Sequence, residues 1–203
     1  MVFLFRNNSN RYPPMEKKTI ELMPTMNSDA TPRLMLQDLA AGLPAITPAF
    51  GACLAEAGAI CLENSGQKCG VELSVTGDLT GCFKLYWPEV TEQMRRCWND
   101  YEVTTEHGAY AIAFLLIREL TNFTIIERSF KGTGIDYWLG DKNALFFRKK
   151  ARLEVSGIRE GNQSRIKSRL NIKLKQTTRS HGILPAYIVI VEFSQPTAQV
   201  VLK

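Results

Sequence analysis

The stretch GIDYWLGDKNALFFRKKARLEVSGI, residues 134–158, carries two acidic residues inside runs that otherwise have the composition of buried strands. Asp136 lies in the run GIDYWLG (134–140), and Glu154 lies in RLEVSG (152–157). A carboxylate that is buried without a partner is costly in free energy. Two of them in neighbouring apolar strands therefore indicate either structural ion pairs or a bound metal ion.

A β-hairpin would place the two acids opposite each other. Residues that pair in an antiparallel hairpin have a constant index sum, and Asp136 and Glu154 are centred on position 145, in the middle of DKNALFFRK (141–149). Their Cβ atoms would then be about 4.5–5.5 Å apart on one face of the sheet. Two carboxylates at that separation raise each other's pKa unless a cation lies between them. Mg²⁺ is the natural candidate, because it binds one or two carboxylates and keeps several waters.

The structural alternative is that the acids form ion pairs with Arg152 or Arg128 across the sheet. In a strand every second side chain points to the same face, so Arg152, Glu154 and Ser156 are predicted to share one face. The sequence leaves both interpretations open.

The second half of the chain predicts an α/β fold. Hydrophobic patterning and turn residues predict, in this order, a helix over 107–122, strands over 123–129, 134–140 and 151–158, a helix over 162–178 and a strand over 186–193. The last strand, AYIVIVEF, is apolar at almost every position, which is typical of a strand covered on both faces. A mixed sheet flanked by helices follows from this order.

The first half predicts a leader and an extension. Residues 1–33 are rich in Asn, Pro, Ser and Met, and are expected to be poorly ordered. Residues 34–104 predict helices over 34–43, 47–66 and 87–100 and a strand over 70–77. Residues 105–203 would then form the αβββαβ core of the fold.

Composition excludes several classes of protein. The apolar fraction is 45% and the charged fraction 22%, which is ordinary for a globular protein. No run approaches the roughly 20 apolar residues of a membrane span, and the apolar run 2–5 is too short for a secretory signal, so we expect a cytoplasmic protein without a membrane partner. Five cysteines without a CxxC pair argue against a disulfide framework or a zinc site, and we expect reduced, mostly buried thiols.

Positive charge is concentrated in the C-terminal half. Residues 1–104 have a net charge of −3 and residues 105–203 one of +8, while residues 142–179 hold 12 basic residues against two acidic ones. Such an excess is typical of a surface that binds a polyanion. The alternative is a solvated helix face.

On these residues the chain resembles the PD-(D/E)xK nuclease superfamily, the restriction-endonuclease-like fold. The resemblance covers about residues 107–193 and rests on the αβββαβ order, on Asp136 in the second core strand and on Glu154-Val155-Ser156 in the third. It implies Mg²⁺ or Mn²⁺ held by Asp136 and Glu154, with Glu119 as the nearest match for a further acid from the first core helix. The implied activity is phosphodiester hydrolysis of DNA, in a defence, repair or mobile-element system.

The chain departs from the family motif at Ser156, where the family has a lysine that positions the attacking water and stabilises the charge on the phosphorus. Serine cannot supply a positive charge. Arg152, on the same predicted face, or Lys131, in the preceding turn, could replace it, since this lysine migrates within the family. Arg165 or Lys167 on the next helix could also reach inward. The predicted catalytic set is Asp136, Glu154, Ser156 and Arg152.

The basic residues near the acids are the expected nucleic-acid contacts. They are Lys131, Arg148, Lys149, Lys150, Arg165, Lys167, Arg169 and Lys173. The alternative function is a catalytically inactive nucleic-acid-binding or scaffold module on the same fold, in which Ser156 marks a lost activity. A third possibility is a domain of another fold that binds a small molecule or a protein. A homodimer or a partner protein would suit double-strand cleavage.

Overall fold

The computed structural model describes residues 31–180 and 184–203 of the chain. The predicted leader therefore lies outside the described residues, except for positions 31–33. In the described part the α-helices are α1 (Pro48–Asn64), α2 (Glu92–Cys97), α3 (Tyr101–Leu120) and α4 (Gln163–Gln176). The strands are β1 (Arg33–Met35), β2 (Val71–Gly77), β3 (Gly81–Tyr86), β4 (Phe123–Arg128), β5 (Tyr137–Asp141), β6 (Ala151–Ile158), β7 (Ala186–Glu192) and β8 (Thr197–Leu202).

The strands of the described part form one mixed sheet. Its order is β1-β3-β2-β8-β7-β6-β5-β4. The pairs β1/β3, β2/β8 and β6/β7 are parallel, and the remaining neighbours are antiparallel. The predicted α/β class and mixed sheet flanked by helices are confirmed, as is the order helix, strand, strand, strand, helix, strand from α3 to β7.

Helices cover both faces of the central strand β7. Val189 and Val191 belong to the larger core, which contains the apolar residues of α1 and α3. Ile188 and Ile190 point to the other face and pack with Ile166 and other apolar residues of α4. Every residue of β7 is buried, which accounts for its unbroken apolar sequence.

The N-terminal elements belong to the same sheet and core. β2 pairs with β8, and α1 packs on α3, so the predicted extension 34–104 adds strands to one edge of the sheet. The predicted boundary after residue 104 lies inside α3. The helix predicted over 47–66 is confirmed, with Thr47 as N-cap accepting a hydrogen bond from the Phe50 N–H (3.2 Å).

Other predictions in this region are wrong. Residues 34–43 form β1 and a short 3-10 helix (36–41) that ends at Gly42, where φ is +81°. The helix predicted over 87–100 is limited to α2, because its N-cap is Thr91 and its C-cap is Trp98. β3 and β8 were not predicted: each has few buried apolar positions, which gives a weak pattern. The cysteines are also mostly exposed, and Cys61 is the buried one.

Candidate active site

The hairpin of β5 and β6 has the predicted register. Tyr137 pairs with Leu153 and Trp138 with Arg152, which is the predicted index sum, and Asp136 and Glu154 are the next residues along the two strands. β5 begins at Tyr137, one residue after the acid. The pairing between the two strands therefore ends where the acids lie.

Asp136 stands at the point where the strands part. Its backbone N–H donates to the Leu153 carbonyl (2.9 Å), and its Oδ2 accepts the Val155 N–H (2.8 Å). The carboxylate thus accepts a backbone hydrogen bond that a neighbouring strand would otherwise accept. Because a strand residue directs its N–H and C=O toward the same neighbour, the Val155 carbonyl oxygen faces this edge as well.

Glu154 forms an ion pair with Lys173. Only 3% of Glu154 is exposed, and its Oε1 accepts a hydrogen bond from the Lys173 Nζ at 2.6 Å. The lysine comes from α4, which packs on this face of the sheet. A positively charged amine therefore lies directly beside the two acids.

The cations expected to pair with the acids have other contacts. Arg152 is buried, and its guanidinium donates to the carbonyls of Leu184 (3.0 Å) and Thr177 (3.2 Å), which holds the chain around the end of α4. Arg128 lies over the ring of Tyr137, 5.8 Å from its centroid. The ion pair at Glu154 is with Lys173, not with the predicted arginines.

Three cations of α4 face the site at intervals of one helical turn. Arg165, Arg169 and Lys173 follow i, i+4, i+8 spacing and line the same opening. Arg169 Nη1 donates to the Ser156 Oγ (3.1 Å), so the serine at the motif position holds an arginine. Lys167 is exposed and is not among the described lining residues, because it lies on another side of the helix.

Burial raises the pKa values of both acids. The pKa of Glu154 is raised to about 7, first by burial and then by the charge of Asp136, against the opposing effect of Lys173. Burial also raises the pKa of Asp136, while the Val155 N–H and Lys173 act to lower it. A cation bound between the two acids would lower both pKa values.

Helix α3 forms the other side of the site. The Tyr110 hydroxyl donates to Glu106 Oε1 (3.0 Å), and the pKa of Tyr110 is raised by burial and then by the charge of Asp136. Tyr110 therefore remains a protonated hydrogen-bond donor beside Asp136. α3 and β6 are in close contact here, because a Cβ on Gly157 would lie 2.5 Å from the Thr105 carbonyl oxygen.

The helix acid at the site is Glu106, and the choice of Glu119 is corrected. Glu119 is exposed in the last turn of α3, nine residues after Tyr110. At 1.5 Å per residue that is about 13 Å along the helix axis. Sequence reasoning missed Glu106 because α3 begins at Tyr101, six residues earlier than predicted.

The site opens into a cleft with two lobes, which share Glu106, Tyr110, Asp136 and Lys173. The first lobe has a volume of about 590 Å³ and the second about 570 Å³. The first lobe is also lined by Tyr101, Glu102, Thr105, Val155, Ser156, Gly157, Ile158, Arg159, Arg165 and Arg169. The second is also lined by Arg128, Ser129, Phe130, Lys131, Gly132, Gly134, Ile135, Glu154 and Gln176.

The remaining predicted cations divide between the cleft and the hairpin loop. Lys131 lines the second lobe. Arg148, Lys149 and Lys150 lie in the β5–β6 loop, at the opposite end of the hairpin from Asp136. The Lys149 Nζ forms an ion pair with Glu127 (2.8 Å) and lies 4.6 Å from the centroid of the Trp138 ring.

The donor set of the site is one of hard oxygen atoms. Among residues 31–180 and 184–203, no group of three or more His, Cys, Asp and Glu side chains is arranged to hold a metal ion. A zinc site would require more nitrogen or sulfur ligands. Two carboxylates with a carbonyl at the same edge fit Mg²⁺ or Mn²⁺, which complete their coordination with water.

The chain matches no protein-family model, no curated protein sequence and no solved structure. Also, no helix in the described residues is long and apolar enough to cross a membrane. Functional inference therefore rests on the geometry of the cleft.

Proposed function

We propose that this chain hydrolyses phosphodiester bonds of nucleic acid, DNA in the first instance, with a divalent metal ion held by Asp136 and Glu154. The observation that carries the proposal is the placement of a lysine, Lys173, at 2.6 Å from Glu154 and beside Asp136. Two acids and one amine at a strand edge, open to a basic cleft, supply the charges that phosphodiester hydrolysis requires.

The same geometry supports assignment to the PD-(D/E)xK superfamily. The helix–strand–strand–strand–helix–strand order is present, and the acids lie where the second and third of those strands part. The family lysine, absent at Ser156, has a counterpart in Lys173, which reaches the acids from α4. The proposal places the positive charge there, and not on Arg152, whose guanidinium donates to backbone carbonyls.

Each residue of the site has a chemical task in this proposal. When bound, the metal would polarise the phosphoryl oxygens and lower the pKa of a bound water. Lys173 would orient that water and stabilise the negative charge that develops on the phosphate. Arg169, held by Ser156, would bind a phosphate oxygen of the substrate, and the cations of the first lobe would position the backbone.

A second candidate is a nucleic-acid-binding module without catalysis. It is favoured by the ion pair itself, because Lys173 already compensates the buried charge of Glu154 without a metal. In that case the basic cleft would bind phosphates, and the acids would serve only to hold α4 against the sheet.

The test is cleavage of plasmid and of single-stranded DNA with Mg²⁺ or Mn²⁺. The variants are Asp136→Asn, Glu154→Gln and Lys173→Met, with Glu89→Gln as the matched control, since Glu89 is an exposed acid in the β3–α2 connection. We expect a loss of at least about 100-fold in the three site variants, the scale found when one electrostatic group is removed from an active site. Glu89→Gln should cut like the wild type.

Metal binding by titration calorimetry separates the two candidates. A nuclease should bind Mn²⁺ in a way that Asp136→Asn abolishes, and should then cut. A chain that binds DNA and neither binds Mn²⁺ at the acids nor cuts is the inactive module, and this result would overturn the proposed hydrolysis.

A further inference from the structure

Two exposed aromatic side chains line the cleft, one in each lobe. Phe130 lines the second lobe and is 82% exposed, and Tyr101 lines the first lobe and is 55% exposed. Neither belongs to the hydrophobic core. An exposed ring beside a cleft offers an apolar face on which a flat ligand can stack.

The loop that presents Phe130 is fastened to the site itself. The Ser129 N–H donates to the Asp136 carbonyl (2.8 Å), and the Ser129 and Thr133 hydroxyls share a hydrogen bond (2.8 Å). The Thr133 hydroxyl also donates to the Phe130 carbonyl (2.9 Å). Phe130 therefore belongs to a closed turn whose base is bonded to the backbone of one of the two acids.

Tyr101, in the first lobe, is fixed in a comparable way. It is the first residue of α3, directly after the N-cap Asp100, whose Oδ1 accepts the backbone N–H groups of Glu102 and Val103 (2.9 and 3.1 Å). Along α3, Tyr101 is nine residues from Tyr110, about 13 Å. The two aromatic rings thus belong to different lobes of the cleft, and Asp136 lines both lobes.

Each ring is accompanied by a cation. The Arg159 guanidinium lies 4.2 Å from the centroid of the Tyr101 ring, and Lys131 follows Phe130 in the chain. The first lobe also carries Arg165, Arg169 and Lys173, and its acids are Glu102, Glu106 and Asp136. A cationic groove with aromatic rings along it is the arrangement that binds single strands, where the phosphates follow the cations and the unstacked bases stack on the rings.

We infer that the cleft binds single-stranded nucleic acid, with bases stacked on Phe130 and Tyr101 on either side of the phosphodiester that faces Asp136 and Glu154. A base-paired duplex hides the faces of its bases within the stack, so it would leave both rings unused. The inference rests on the proposed function for the site and names its substrate class.

Binding in EDTA tests the inference without cleavage. A fluorescent single strand of about 12 nucleotides, as DNA and as RNA, is compared with a duplex of the same length by anisotropy. A third probe has the same backbone with abasic residues. We expect at least one of the single strands to bind about 10-fold or more tightly than its duplex, and the abasic strand to bind weakly.

The variants are Phe130→Ala, Tyr101→Ala and Phe130→Trp. Each alanine variant should weaken single-strand binding by about 5-fold to 150-fold, the range for loss of one stacked base. Phe130→Trp should bind single strands as tightly as the wild type does. Neither alanine variant should bind the abasic strand more weakly than the wild type does. Phe146→Ala is the matched control, because Phe146 is 81% exposed in the β5–β6 loop and lines neither lobe among the described residues.

The inference is overturned if the duplex binds as tightly as the single strands, if the alanine variants bind like the wild type, or if Phe146→Ala weakens binding as much as they do. Failure of the proposed hydrolysis looks different. Metal-dependent cutting of duplex that ignores Phe130 and Tyr101 overturns the inference and leaves the hydrolysis standing. If single strands bind in a way that depends on the two rings but are not cut, the hydrolysis is overturned and the inference stands.

Discussion

At the scale of single residues, Lys173 has the most unusual position in the site. It follows Ile166 by seven residues, two turns of helix, so it lies on the same stripe of α4 as the buried Ile166 and Leu170. An apolar residue would pack there without a charge to compensate. The lysine instead pairs with Glu154, and only 19% of its side chain is exposed.

A substitution that removes the charge of Lys173 but keeps the length of its side chain should show how much the ion pair stabilises the fold. In Lys173→Met, Glu154 would be buried without its cation, so we expect the free energy of unfolding at pH 8 to fall by about 3 kcal/mol. Near pH 4 the loss should be small, because the carboxyl group is then protonated in both states. Urea unfolding at the two pH values measures this, with Lys167→Met, on the exposed side of the helix, as control. A loss that is equal at both pH values would contradict the ion-pair explanation.

The raised pKa of Glu154 makes a prediction about the wild type. Its folded-state pKa is about 7, above the unfolded value of about 4.3, so the protonated form stabilises the folded chain. This contribution is complete below about pH 4 and is lost as the pH rises through 7. At about 1.4 kcal/mol per pKa unit, the loss is a few kcal/mol.

Glu154→Gln mimics the protonated acid and should lack this dependence. We expect the unfolding free energy of the wild type, relative to Glu154→Gln, to fall between pH 5 and pH 8. Added Mg²⁺ should recover the stability of the wild type at pH 8 and not at pH 5, because its ligands must be ionised. Parallel curves for the two proteins would show that Glu154 titrates normally.

At the scale of elements, α4 joins the sheet and the cleft. Its apolar side, with Ile166 and Leu170, packs on β6 and β7, and its adjacent side carries Arg165, Arg169 and Lys173 into the cleft. The packing of the helix therefore decides which of its cations meet the substrate.

This division predicts different salt dependence for two cations of the same helix. Arg169→Ala should weaken nucleic-acid binding and reduce the slope of log K against log salt concentration by about 1, since one phosphate contact is lost. Lys167→Ala should change the slope by less, because Lys167 faces away from the cleft. Affinities between 50 and 200 mM salt give both slopes. Equal effects of the two variants would indicate general attraction by the whole helix.

The elements differ in how far the sequence could predict them. The hairpin register was predictable because the apolar pattern of period two on both sides of the turn fixes it, and β7 because it is apolar on both faces. β3 and β8 were not, since their few buried positions, such as Phe83 and Leu85 in β3, give little periodicity. The angle at which α4 packs on the sheet decides which of its cations reaches the acids, and the sequence does not give that angle. The position of Lys173 on the apolar stripe of α4 was nevertheless a usable signal.

At the scale of the whole molecule, residues 101–203 carry the cleft, and the preceding elements complete the sheet and the core. The apolar face of α3 packs on α1 so closely that a Cβ on Gly108 would lie 3.0 Å from the Cys61 Sγ. On the sheet, β8 has β7 on one side and β2 on the other. The elements that form the site are therefore supported by elements from residues 34–104.

A fragment of residues 100–203 tests whether the site-bearing half folds alone. It keeps the Asp100 N-cap and every residue of the site, but it exposes the face of α3 that packs on α1 and the edge of β8 that pairs with β2. We expect it to lack a cooperative unfolding transition and to aggregate, since a free apolar face and an open strand edge favour association. Residues 31–203 keep the whole described sheet and serve as the comparison. Circular dichroism during thermal unfolding, with gel filtration, measures both. If 100–203 proved monomeric and unfolded cooperatively, it would be an independent domain, and α1 to β3 would be an addition to a core that is stable without them.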